Sequence, residues 1–151
     1  MNTIHSTLDA DGAVIDLLIG LAAVYINQLR RAGSPVPSPI PVRALLDTGA
    51  EMTCVDPAVL APLIRAASLR PTRTLYSNVP AAGGLNFVSE YAVGITIIHP
   101  DDPRANLVFR NHPVLEQSLG PLPYQALLGR DVLARCLLVY DGPSSAFTLA
   151  Y

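Results

Sequence analysis

Asp47-Thr48-Gly49-Ala50 is the stretch whose residue types and spacing could carry out a reaction, because the apolar run Val42-Arg43-Ala44-Leu45-Leu46 leads straight into it. A carboxylate held at the end of an apolar strand can take a proton from water or give one to a carbonyl oxygen. The glycine lets the backbone turn sharply and come close to a bound chain. The threonine adds a hydroxyl that can tie the loop down from behind. Such a tripeptide alone is a weak signal, since short strings recur by chance. A second element, about eighty residues on, strengthens it: Ala126-Leu127-Leu128-Gly129-Arg130-Asp131-Val132-Leu133.

Together the two motifs resemble those of the retroviral-type aspartic proteases, the retropepsins, over residues 42 to 151. The resemblance implies an all-β fold with one or two short helices, closed as an acid-protease barrel with one lobe per chain. Carried over by position, Asp47 is the catalytic acid/base, Thr48 bonds the partner chain beneath the two aspartates, and Gly49 offers backbone to substrate. Ala50 matches the retroviral pattern where bilobal pepsins carry Ser or Thr, which implies a milder working pH. Glu51 falls where an acidic residue pairs with the arginine of the second motif, here Arg130. Leu128, Gly129 and Asp131 complete that motif beside the catalytic loop. The tail, Leu137 to Gly142 followed by Ala146 to Leu149, resembles bacterial members of the group.

Peptide hydrolysis of this kind needs two carboxylates sharing one proton, because like charges in contact cannot both ionise cheaply. The chain offers one Asp-Thr-Gly; Asp11-Gly12 and Asp141-Gly142 lack the hydroxyl residue and read as turns. A chain of 151 residues holds one lobe, so the second Asp47 must come from a second copy across a two-fold axis. The expected partners are therefore a second copy and an extended peptide, with no cofactor and no metal. The rival reading is a dimeric peptide-binding domain of the same fold with little or no turnover.

Composition narrows the field. Half the residues are hydrophobic and 15% are charged, below the roughly 25% of an average soluble domain, so surface must be hidden, most simply in a dimer. A net charge of −2 gives no basic stripe for nucleic acid. All ten basic residues are arginines, which excludes lysine Schiff-base chemistry and a P-loop. Cys54 and Cys136 have no metal or redox spacing and read as small buried thiols, with Cys54 close enough to the loop to line a substrate pocket. His99, Asp101, Asp102 and His112 match no metal-ligand pattern and read as a solvated loop. The polar first residues show no secretory signal, and the apolar stretch Ala13 to Ile26 is too short and too charged for a membrane span. A cytoplasmic location is the expectation.

The elements that must position these residues are legible in part. Residues 1–12 read as a flexible segment and 13–151 as the domain, with 30–41 a proline-rich loop insertion. Ala13 to Ile26 reads as one bent strand or two broken near Gly20, with a helix as rival that periodicity does not exclude; the resemblance favours strands. Val42 to Leu46 enters the catalytic loop and Met52 to Val55 leaves it. Asp56-Pro57 is a helix start, with Leu60, Leu63, Ile64 and Ala67 on one face. Thr74 to Val79 and Leu85 to Ile98 flank Pro80 to Gly84 as a hairpin. Its second arm places Leu85, Phe87, Tyr91, Val93, Ile95 and Ile97 on one face. The resemblance makes this hairpin the flap, with Ala81, Ala82, Gly83 and Gly84 at its tip. A polar loop from His99 enters the short strand Leu107 to Phe109, Asp131 to Cys136 is a short helix, and Leu137 to Tyr151 a hairpin. The apolar lining expected of the pocket is Leu46, Cys54 and the flap. Ala146 to Tyr151 is the expected intermolecular strand.

Overall fold

Along Ile40–Leu46 the side chains of Val42, Ala44 and Leu46 are buried and Arg43 is exposed, the alternation of a half-buried strand. The same logic builds most of the chain, in a computed structural model that describes residues 1–79 and 84–151, and for 77–79 and 84–86 the backbone alone. In chain order the elements are β1 (Thr3–Thr7), β2 (Val14–Leu21), α1 (Ala23–Arg31), β3 (Ile40–Leu46), β4 (Cys54–Val55), α2 (Pro57–Ala67) and β5 (Arg73–Val79). Then follow β6 (Gly84–Ile97), β7 (Leu107–Glu116), β8 (Ala126–Leu128), α3 (Arg130–Leu133), β9 (Leu137–Asp141) and β10 (Ala146–Ala150).

Six strands in the order β2-β3-β8-β4-β7-β6 close into a barrel, because β2 pairs with both β3 and β6. β5 extends this sheet beyond β6 as the other arm of a hairpin. Closure requires glycine at one place: a Cβ on Gly94 would lie 2.9 Å from the Leu21 carbonyl oxygen. The interior is filled by Leu17, Ile19, Val93, Ile95, Ile97 and Leu128, all fully buried, with Leu60 and Leu63 of α2 packed beneath. Helix α2 starts as its sequence demands, with the Asp56 carboxylate accepting from the Ala58 N–H at 2.9 Å and Pro57 next. The closed all-β barrel with one lobe per chain is thus the observed fold, with three short helices rather than one or two.

The third helix is α1, which corrects the preference for strands over Ala13 to Ile26. That segment is strand to Leu21 and helix from Ala23. Tyr25, Ile26 and Leu29 fall on one helical face and pack on the core, while Gln28, Arg30 and Arg31 face out. Gly33, at φ +67°, ends the helix with Ser34 N–H donating to the Leu29 carbonyl at 2.9 Å. The proline-rich loop is correspondingly shorter than 30–41: Arg30 and Arg31 belong to α1, and Ile40 and Pro41 to β3.

The amino-terminal segment, expected as a flexible stretch over residues 1–12, contains a paired strand. Thr3 to Thr7 pair residue for residue with β10, and Ile4 is buried in the core. Its polar residues had hidden this, because only every second side chain of an outer strand needs to be apolar. β10 consequently lies between β1 and β9, with both of its edges occupied within the chain. β7 also runs on to Glu116, well past Phe109. In β6, Tyr91, Val93, Ile95 and Ile97 are buried as expected, but Phe87 is exposed and lies against Tyr76, ring centroids 4.0 Å apart. Val88 is buried there instead, in a second apolar cluster with Cys54, Leu115, Leu119 and Leu127.

If β1 is structural, Ile4→Ala should lower unfolding free energy by about 2–4 kcal/mol. Urea titration reads this directly; an unchanged midpoint would return the segment to a flexible tail.

Candidate active site

Asp47 follows β3 directly, and its N–H donates to the Leu128 carbonyl at 3.0 Å, continuing the parallel β3–β8 ladder into the loop. Its Oδ1 accepts from the Gly49 N–H at 2.9 Å and the Ala50 N–H at 3.3 Å. Among the described residues Oδ2 has no protein partner, so one oxygen is fixed by the loop and the other is not. Thr48 stands exposed at the loop tip, and its hydroxyl makes no hydrogen bond among the described residues.

The second motif threads along this loop residue by residue. Arg130 N–H donates to the Ala50 carbonyl at 2.9 Å and Asp131 N–H to the Glu51 carbonyl at 3.3 Å. Gly129 N–H donates to the Thr53 hydroxyl at 3.1 Å. The approach is so close that a Cβ on Gly129 would lie 2.6 Å from the Met52 carbonyl carbon, inside any allowed contact. The anticipated Glu51–Arg130 ion pair is absent: both side chains are exposed and no such pair forms among the described residues. Backbone bonds join the two positions instead.

Asp131 is the anchor. Its Oδ1 accepts from the Thr53 hydroxyl at 2.8 Å and from Val132 N–H at 2.9 Å, and its Oδ2 from Thr53 N–H at 3.0 Å. The His112 Nε2 lies 2.9 Å from the same Oδ2. Burial pushes this carboxyl up, but the bonds from His112 and Thr53 outweigh it and hold the group below the usual carboxylate range. Sequence reading missed His112 because it took the segment for a polar loop. The signal is a bulge: β7 slips register between Val93 and Ile95 of its partner, so Phe109 and His112, three apart, both turn inward.

Beside the loop opens a cleft of about 510 Å³ lined by Gly49, Ala50, Met52, Cys54, Leu75 and Leu115, with Glu51, Arg73, Tyr76 and Arg130 giving it polar groups. Cys54 lines it as expected; Leu46 does not, being packed in the barrel core. Burial, with the Asp131 and Asp47 charges nearby, pushes the Cys54 thiol up to about 12, so it is a neutral wall and not a nucleophile. Arg73 is fixed at the hairpin root: its guanidinium meets the buried Glu90 carboxylate at 2.9 Å, which also accepts from the Thr72 hydroxyl at 2.6 Å. Tyr124 is a further residue that sequence reading did not single out. Burial raises its phenol, and the Asp11 and Asp47 charges add to the effect. Of the anticipated flap tip, Ala81, Ala82 and Gly83 lie outside the described residues, and Gly84 begins β6 opposite Val79.

No protein-family model matches the chain, and no curated protein matches it. Among solved structures it is similar to a retropepsin-like aspartic protease from Rickettsia conorii, at TM-score 0.55 and 20% identity over 99% of this chain and 91% of that one. It also matches an inhibitor complex of EIAV protease at TM-score 0.43 and 19% identity, over 86% of this chain and 93% of that one. At such identities the likeness concerns the fold: this chain has the retropepsin-like barrel.

Because the Asp131 carboxyl is depressed in the folded state, its contribution to stability is full above about pH 4, the unfolded value, and is lost as pH falls through the lower folded value. Wild type should exceed Asp131→Asn in urea stability at neutral pH, and the gap should narrow from about pH 4 downward. A gap independent of pH would show that the charge plays no part.

Proposed function

We propose that the chain is an aspartic endopeptidase whose active form is a homodimer, with one Asp47 from each copy. The observation that carries this is the Asp47 carboxylate in the loop whose Gly49 and Ala50 line the cleft, with one oxygen held by the Gly49 and Ala50 amides and the other without a partner among the described residues. The retropepsin-like barrel, its single Asp-Thr-Gly loop and the exposed Thr48 hydroxyl support the same reading. In the dimer one carboxylate takes a proton from water, whose oxygen attacks the scissile carbonyl carbon. The other gives its proton to the carbonyl oxygen, forming a tetrahedral diol. Collapse breaks the C–N bond as a proton passes to the leaving nitrogen, and the shared proton is restored.

The substrate is an extended peptide, held by backbone hydrogen bonds with side chains in alternating pockets. Met52, Leu75 and Leu115 give the cleft apolar walls, which favours hydrophobic residues beside the cut. For the second copy, β9 offers a sheet edge with Leu137 58%, Val139 48% and Tyr140 61% exposed, more apolar surface than a short outer strand ordinarily leaves to water.

Asp47→Asn should lower cleavage of a peptide library at least about 10³-fold while leaving the fold and dimer intact, since Asn can neither accept nor donate the acidic proton. Undiminished cleavage would move the chemistry elsewhere; a wild type that binds peptides without cutting them would favour the binding-domain reading.

Specific activity should fall on dilution in step with dissociation of the dimer, followed by sedimentation over the same concentrations. Constant activity per chain in a demonstrable monomer would remove the shared site.

A further inference from the structure

His112 sits in the barrel wall on β7, with only 11% of its side chain exposed. Its ring meets Phe109 edge-on at 5.2 Å, and the Arg135 guanidinium lies over that phenylalanine ring, 4.6 Å from its centroid. Its Nε2 faces Asp131 Oδ2 at 2.9 Å. The other three neighbours of that carboxylate are all donors: Thr53 N–H, the Thr53 hydroxyl and Val132 N–H. A carboxylate surrounded by donors is ionised and can only accept. The ring proton is therefore on Nε2, whether or not Nδ1 carries another.

We propose that His112 is a positioning residue: by donating from Nε2 to Asp131 it fixes the segment 129–131, and through that segment the loop that presents Asp47. The path is short and each step is a hydrogen bond or a peptide link. His112 holds Asp131; Asp131 holds both the amide and the hydroxyl of Thr53; the hydroxyl in turn accepts from Gly129, whose neighbours Arg130 and Leu128 bond Ala50 and Asp47. Without the imidazole one lone pair of a half-buried carboxylate is left unmet, and Asp131 can rotate toward water and release Thr53. The effect on rate rests on the peptidase reading; the effect on the loop does not.

The test compares wild type, His112→Leu, which fills the space without a donor, and His112→Gln, whose amide N–H reaches the Nε2 position. Steady-state cleavage of a peptide substrate and hydrogen exchange of the Thr53 and Gly129 amides are followed together. His112→Leu should lower kcat about 10–100-fold with KM within about threefold, because the loop is displaced and not the binding surface. Exchange at both amides should accelerate about tenfold or more, the mark of a freed hydrogen-bonded loop. His112→Gln should recover most of both. Should His112→Leu fail to fold, His112→Asn, too short to reach Asp131, takes its place. Nitrogen NMR of the wild-type ring should show the proton on Nε2. Wild-type kcat and exchange in His112→Leu, a His112→Gln as impaired as His112→Leu, or an Nε2 without its proton would each overturn the assignment. If wild type cleaves no peptide, the peptidase reading fails and the exchange rates alone decide the role of His112.

Discussion

A glycine with no room for a side chain and a carboxylate met by four donors hold two loops in contact across about eighty residues of sequence. Gly129 can be nothing larger, because a methyl group would enter the Met52 carbonyl. Asp131 is half-hidden from water and ionised, a state that is costly unless its lone pairs are satisfied. Charge-assisted bonds are the strong ones, and here they are directional: two to Thr53, one to its own helix and one to β7. Sliding either loop by one residue would leave a buried charge unmet. The register of the Asp47 loop is therefore set by electrostatics behind it and by steric contact beneath it.

The barrel makes this knot possible by delivering both loops to one place. β3 and β8 run parallel, so Leu46 and Leu128 end side by side and the next residues, Asp47 and Gly129, enter their loops together. β4 leaves the Asp47 loop between β8 and β7, which brings Thr53 against Asp131 and β7 against both. Two apolar clusters flank this junction, one filling the barrel and one, around Cys54, Leu115 and Leu127, forming the cleft side. The core supplies rigidity and the polar knot supplies register; neither does the work of the other.

Much of this was readable from the residues. An apolar strand ending in Asp-Thr-Gly and a later Leu-Leu-Gly-Arg-Asp are each weak alone but together carry a family resemblance, and it was that resemblance that implied the barrel and the adjacency of the two loops. Asp56-Pro57 announced α2 for the same reason: cap chemistry is local. What stayed hidden depends on partners remote in sequence. Thr3 to Thr7 looks too polar for a strand until β10 is set beside it. His112 looks like loop polarity until the bulge opposite Gly94 turns it inward. Glu51 and Arg130 have the right charges for an ion pair, yet nearness of backbones does not oblige exposed side chains to meet, and such pairs contribute little even when formed. The boundary of α1 was obscured because its apolar residues continue those of β2 without a polar break, and periodicity cannot separate the two.

The terminal sheet bears on how the two copies of the proposed dimer could meet. β10 was the expected intermolecular strand, but its hydrogen bonds run to β1 on one side and β9 on the other. A partner strand can join it only by displacing one of these, at the cost of the bonds already made. Adding to the outer edge of β9 costs none of them. Exchange of β1 between copies is the other route, since an identical strand from the partner would restore the same five-residue register and bury the same isoleucine. Both routes keep β10 in the centre of its sheet. The apolar residues left on β9 weigh toward edge addition, because exchange of β1 would leave them in water.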